Sequence, residues 1–435
     1  MSKAKLPYVR EVLPNGLTVL IYPMRDVQAA GVSLKVHTGT IYEEEEEGLA
    51  HATEHFLFLA TKKFPTERKV REELEGIGAA NNAHTRNREI ELWIHLPAKN
   101  LERALSLMSQ MAFYPIFPAD SLEKERSTVI QEWKNRHDLP RFRFGQKLHE
   151  ARFGDPKHPY IRDESLHLLE SFSLSDLKKF HDKFFHPQQM VLGVGGGVEP
   201  KKTLLLIKKY FADIPKTTFV PEPVFASGSY AGKVVIAHEE KSSQAHFEMN
   251  FPAFGWRQKS KRERMAVFMG ARILGGSTVS RLWRELREER GWVYHVGSGV
   301  SLYPYLGISD VFTSCTTGRL GEVMKILRKE IEKFVSCGPT DAEVALEREH
   351  RLGRLATGFE GSLGTARYFV DEEFDGEGIM LPEEEMAMIQ GISKDQIKLS
   401  LQDLFDWSRG QVGLMNDFTQ IAKDDFEKLA NDIFR

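Results

Sequence analysis

With 435 residues, 41% hydrophobic and 28% charged, the chain has the composition of an ordinary globular protein of two large or three small domains. Its 59 basic and 62 acidic residues nearly cancel, to a formal net charge of −3, which gives no basis for nucleic acid or an anionic membrane as the main partner. Two cysteines, Cys315 and Cys337, exclude a disulfide framework, and no run approaches the ~20 apolar residues of a membrane span. The start, Met-Ser-Lys-Ala-Lys-Leu-Pro, lacks the apolar core of a signal peptide, so a cytoplasmic location is expected.

In chain order, the first predicted element is a hairpin. Tyr8–Leu13 and Leu17–Ile21 flank Pro14-Asn15-Gly16, and Asn-Gly between alternating runs is a strong hairpin cue. A strand over Ala30–His37 follows, with Val32, Leu34 and Val36 alternating. The acidic run Glu43–Glu47 reads as a solvated loop. Helices are predicted over Gly48–Leu59, over Glu67–Glu75 with Thr66 as N-cap, over Leu101–Phe113 and over Ser121–Asn135. Asn81–Leu96 reads as paired strand and turn. Gly193-Val194-Gly195-Gly196-Gly197 is only superficially a phosphate loop, because no Lys-Ser/Thr follows it, and it reads as a strand end and turn.

Pro- and Gly-rich residues 218–232 form the best linker, between a domain over 1–217 and a second over 233–435. After it the strand-then-helix order restarts, with strands at Val234–Ala237 and His246–Phe251 and a helix at Arg262–Leu274. The second half therefore looks like a diverged copy of the first without its histidine cluster. Strands and helices without strict βαβ alternation imply an α+β fold, each domain a mainly antiparallel sheet with helices packed on one face.

The chemistry concentrates in His51-Ala52-Thr53-Glu54-His55. Four residues apart on a helix, both imidazoles reach one ion, and Glu54 projects beside it. A catalytic zinc needs three protein ligands and an open position for water, whose pKa it lowers, and a nearby free glutamate can take the proton. About 0.07 matches to this pattern arise by chance in such a composition. The competing explanation is an ordinary helix with a solvated or core histidine pair. Apolar flanks at Gly48-Leu49-Ala50 and Phe56–Leu59 weigh against it, since buried histidines need partners.

The string, read together with later residues, resembles the pitrilysin and insulysin superfamily of inverted-motif zinc peptidases, in the subfamily of mitochondrial processing peptidase and its bacterial homologues. The family spacing of 69 residues, a glutamate, six residues and a second glutamate falls on Glu125 and Glu132. The resemblance makes Glu132 the third zinc ligand and Glu125 a group that orients a ligand. The opening Leu13–Leu17 also fits, as does Gly78 through Asn82-Ala83-His84-Thr85, whose family counterpart is a strand pairing with the substrate backbone. Asn82 and Ala83 are thus implied to bind substrate, although a polar turn explains Asn81-Asn82 equally well. Ser280–Trp283 through Arg287–Tyr294 is similar to the family's Arg and Tyr signature, which implies that Arg287 and Tyr294 position substrate and stabilise the oxyanion.

The resemblance further implies one zinc ion per chain, two domains closing over a chamber, short or unfolded peptides as substrates, and a homodimer. Manganese or cobalt would fit the same ligands, though two histidines and a carboxylate suit zinc best. The chain departs from the family at Ala52-Thr53, where bulky apolar residues are usual, and at Trp292 and His295. The alternatives are a catalytically silent scaffold, one half of a processing-peptidase-like heterodimer, and a zinc hydrolase of non-peptide substrates.

Overall fold

The computed structural model describes residues 7–43, 47–154, 158, 164–225, 233–239, 242, 244–418 and 423–432. The chain forms two compact units. One comprises Met1–Arg136, Arg162–Pro223 and Leu355–Leu381, and the other His137–Ile161, Val224–Arg354 and Pro382–Arg435. Each half of the sequence thus lends one segment to the other unit, where the sequence suggests contiguous halves. Residues 226–232 of the expected linker lie outside the described residues.

In the first unit, β1 (Val9–Val12), β2 (Thr18–Pro23), β3 (Ala29–His37), β4 (Ala80–Thr85), β5 (Glu89–Pro97) and β6 (Met190–Gly196) form one sheet in the order β1-β2-β6-β3-β5-β4. Only β2 and β6 run parallel. The hairpin predicted at Asn15-Gly16 is present, with Gly16 at φ 94°, a left-handed conformation that glycine adopts without steric cost. Asn15 is buried, and its amide donates to the carbonyls of Phe211 and Ile214 at 2.7 and 3.2 Å, so this turn also ties down a helix end.

The two faces of the sheet differ as the strand period of two requires. Val32, Leu34 and Val36 of β3 and Ile90, Leu92 and Ile94 of β5 are fully buried on one face, the side of the Leu101–Phe113 helix. The other face presents Gly31, Ser33 and Lys35 of β3 with Gly193 and Gly195 of β6, and the Ser362–Asp375 helix lies on it. A Cβ on Gly31 would sit 2.3 Å from Leu363 Cα, and one on Gly195 2.6 Å from the Ser362 carbonyl oxygen. Gly193–Gly196 end β6 and a bend follows at Gly197, as expected, and the run is in addition a floor on which a helix backbone rests. Arg367 donates to Glu91 at 2.7 Å, Lys35 pairs with Asp371 at 2.6 Å, and Tyr22 stacks on Phe369.

In the second unit, β7 (Lys233–His238), β8 (Ala245–Ala253), β9 (Val293–Leu302), β10 (Gly307–Cys315) and β11 (Gln411–Asn416) take the order β7-β11-β8-β10-β9, again with one parallel pair, β7 and β11. Phe247, Met249 and Phe251 of β8 form the core with Val311 and Leu414 and with the Lys261–Gly275 and Leu320–Cys337 helices. On the opposite face the Pro140–Phe153 helix sets Phe144 and Leu148 against Met415 and Ala237. The fold is α+β, with two mainly antiparallel sheets. Among the described residues no helix is long and apolar enough to cross a membrane.

Candidate metal centre

β3 ends at His37, a 3-10 turn over Thr40–Tyr42 follows it, and the Leu49–Phe56 helix carries the histidine pair. Gly48, at the N-cap position with φ 111°, has no side chain to satisfy the first amides. Glu43 takes over that role: its Oε1 accepts from the backbone N–H of Gly48 at 3.1 Å and of Ala50 at 2.7 Å. A carboxylate is favoured there by the amide dipoles as well. The expectation of a solvated acidic loop is thus corrected at Glu43, which is 4% exposed, while Glu44–Glu46 lie outside the described residues. Leu49, Ala50, Ala52, Thr53 and Phe56 are buried, which fixes the helix and turns His51 and His55 to one flank. Small side chains at 52 and 53 sit in complete burial.

The Leu122–His137 helix brings Glu132 to the same place. His51 Nε2 lies 3.2 Å from His55 Nε2 and 3.4 Å from Glu132 Oε2, and His55 Nε2 lies 3.7 Å from that oxygen. Zinc bonds of about 2.1 Å at tetrahedral angles put ligand atoms roughly 3.4 Å apart, so the triangle has the dimensions of one face of such a site. No other group of three His, Cys, Asp or Glu side chains converges in this way among the described residues. Burial disfavours a charged His51, but hydrogen bonds to Glu132 and Glu164, with the negative charge of Glu164 and Glu54, raise its pKa to about 10. Glu132 is held below the usual carboxylate range by its hydrogen bond to His51. Burial opposes ionisation of Glu164, yet His51 and Arg136 still bring it below that range.

The far nitrogens of both imidazoles are anchored by carboxylates. His51 Nδ1 lies 2.6 Å from Glu164 Oε1, and His55 Nδ1 lies 3.4 Å from Glu125 Oε2. Such contacts select the tautomer that leaves Nε2 to the metal. Glu164 is itself fixed, because Arg136 donates to its other oxygen at 2.6 Å and the Trp133 indole donates to its carbonyl at 2.9 Å. Glu125 is buried, unlike an ordinary helix-surface glutamate. Glu54 extends from the histidine helix and accepts from the Thr85 hydroxyl at 2.7 Å. Sequence patterns assign no part in this site to Glu43, Arg136, Glu164 or Thr85. Thr85 lies inside the quoted Asn82–Thr85 string, but Glu164 stands in a stretch with no periodic signal.

Asn82 and Ala83 lie on β4, an edge strand that among the described residues pairs only with β5. Ala83 is buried and Asn82 is exposed, as alternation requires. Arg287 and Tyr294 belong to the second unit. Arg287 sits in a π-helical turn over Arg284–Glu288, and its guanidinium lies 5.3 Å from the centre of the Tyr294 ring. Tyr294 stands on the edge strand β9 and is 76% exposed.

Residues 19–160 match the family described as insulinase (peptidase family M16), and residues 171–350 match the peptidase M16 inactive domain. An uncharacterized zinc protease of Mycobacterium leprae is 27% identical over 81% of this chain and 79% of its own length. One from Rickettsia felis is 26% identical over 90% and 94%. Among solved structures, a protease from Helicobacter pylori has a TM-score of 0.83 at 18% identity, covering 95% of this chain and 100% of that one. The periplasmic protease PqqL from Escherichia coli has a TM-score of 0.82 at 18% identity, covering 99% of this chain and 50% of that one. Together with the shared two-sheet fold, these matches show that the chain belongs to the M16 peptidases, the pitrilysin and insulysin superfamily.

Proposed function

We propose that this chain is a zinc-dependent endopeptidase that cuts short or unfolded peptides, with His51, His55 and Glu132 holding one zinc ion per chain and Glu54 as general base. The observation that carries this reading is the triangle of 3.2, 3.4 and 3.7 Å between the three inner atoms, with a carboxylate behind each imidazole. A bound zinc supplies Lewis acidity, activating water at neutral pH. The protein's own groups do the rest. Glu54, steadied by Thr85, takes the proton of the attacking water and delivers it to the leaving amine. Glu125 and Glu164 keep the imidazoles oriented. The free edge of β4 binds an extended peptide by main-chain hydrogen bonds, with Asn82 and Ala83 on that strand, and this suits a substrate recognised by backbone rather than by side chain. Arg287 and Tyr294 positioning the same peptide, a homodimer and a cytoplasmic location belong to the same proposal.

The test is cleavage of a quenched unstructured peptide by the purified chain, with zinc content quantified, alongside Glu54→Gln. The wild type should contain about one zinc per chain, and Glu54→Gln should keep it while turnover falls about 10²–10⁴-fold. Zinc binding without cleavage would favour the catalytically silent or partner-dependent alternative, which light scattering and addition of a partner chain would then address. Absence of metal would overturn the proposal.

A further inference from the structure

The free edge of β4 has two ends. At the Thr85 end stands Glu54, within hydrogen-bond distance. At the Ala80 end the first unit opens into a cleft of about 840 Å³, where β3 and β4 begin and β5 and β6 finish. Val27, Ala29, Ala80, Leu96 and Ala98 give it an apolar lining, no carboxylate faces it, and Lys99 is the one lining side chain with a fixed charge. Lys99 makes no ion pair among the described residues. From Thr85 to Ala80 is five strand steps, roughly 17 Å at about 3.3 Å each.

We infer that this cleft is a distal subsite of the peptidase, taking an apolar residue and an adjoining carboxylate four to six residues beyond the scissile bond on its C-terminal side. The inference rests on the peptidase function proposed above. The polarity follows from strand pairing. β4 runs from Ala80 to Thr85, so an antiparallel partner, the more stable pairing per residue, runs from the Thr85 end towards Ala80. The part of the substrate that follows the cut bond therefore travels along β4 and reaches the cleft. Its apolar walls suit a Leu- or Phe-like side chain, and Lys99 at the rim suits a negative group. That group is either an acidic side chain or the chain's terminal carboxylate.

The experiment measures binding of labelled peptides to the Glu54→Gln protein by fluorescence anisotropy, and their cleavage by wild type. A peptide continuing five residues past the cut bond and ending in Leu and a carboxylate should bind about tenfold tighter than one ending two residues past it. Amidating the terminus, or replacing it by an internal Asp, tells the terminal from the side-chain carboxylate. Lys99→Glu should remove about fivefold of the gain and shift the preference to a peptide carrying Lys there, and that swap also shows that the variant is folded. Equal binding of long and short peptides, or a gain only from N-terminal extension, overturns the inference while cleavage of the short peptide keeps the peptidase reading. If peptides bind with the length effect but are never cut, the peptidase reading fails, and with it the subsite as part of a peptidase, leaving the cleft as a peptide-binding site. No peptide binding at all overturns both.

Discussion

The two units share a strand plan and part company at the helix that follows the third strand of it. In the order β2-β6-β3-β5-β4 against β7-β11-β8-β10-β9, β3 corresponds to β8. After β3 comes the Leu49–Phe56 helix with His51, Glu54 and His55. After β8 comes the Lys261–Gly275 helix, which buries Val267, Met269, Ile273 and Leu274. Gly270 of that helix would place a Cβ 2.8 Å from Leu401, so the helix that carries the histidine pair in one unit has a close-packed counterpart in the other. The sheet does not dictate chemistry. What sets the first unit apart is that Glu125, Glu132 and Glu164 converge from two segments distant in sequence on a helix that Glu43 caps.

That contrast breaks most severely if the three inner ligands are dispensable. His51→Ala and Glu132→Ala should each lose the metal and lower peptide turnover by about 10³-fold or more, measured by metal analysis and peptide cleavage. Wild-type metal content in either variant would show that the first unit's face is no more a metal site than the second's. Glu164→Gln should weaken zinc binding by about 10–100-fold in chelator competition, with the fold intact. The glycine floors sharpen the comparison further. Gly195→Ala meets the Ser362 backbone at 2.6 Å, whereas Gly413→Ala meets the side chains of Leu148 at 2.4 Å and Phe144 at 2.7 Å, which can turn aside. Urea unfolding should therefore show a loss of about 3 kcal/mol for the first and about 1 kcal/mol for the second.

The smallest effect belongs to the second unit alone. Burial first, and the charge of Glu248 next, push the Asp310 carboxyl up to about 6, with Arg152 and Arg141 opposing. The folded protein thus holds a proton that the unfolded chain, near 3.8, has released. Stability from this group is complete below about pH 4 and is lost as pH rises through 6, on the order of 1 kcal/mol for a partly buried group. Asp310→Asn should flatten that slope in thermal melts between pH 4 and 7, and an unchanged slope would remove Asp310 from the account.

Most of the regular structure was legible because the periodicities are strong. The Leu101–Phe113 helix falls where its apolar stripe puts it, Thr66 caps the Glu67–Gly76 helix by accepting from Lys69, and the first hairpin turns at Gly16. That His51 and His55 meet was legible because they share a helix, while the convergence of Glu132 on them needed the family spacing. What stayed hidden depends on contacts across long stretches of sequence. Glu43 looked like one acid in a solvated run, because nothing local says that its carboxylate turns back onto Gly48 and Ala50. Glu164 is 113 residues from His51, and no pattern links them. The glycines of β6 were legible as a strand end and turn, but their service as a floor stayed hidden, because the helix they accommodate arrives some 170 residues later.

That late arrival has a consequence for how the protein is made. The Ser362–Asp375 helix covers the sheet that supports the histidine pair, and it leaves the ribosome only after most of the chain has been synthesised. Until then the first six strands present a glycine-lined face with nothing on it, and closing it requires contacts of very long sequence separation, which form slowly. A nascent chain stopped at residue 217 would hold every ligand yet lack the cover of its own sheet. Synthesis therefore orders events: the unit with the histidine pair has its candidate ligands translated early but is completed only by the segment ending at Leu381, and the second unit, ending at Arg435, is completed later still.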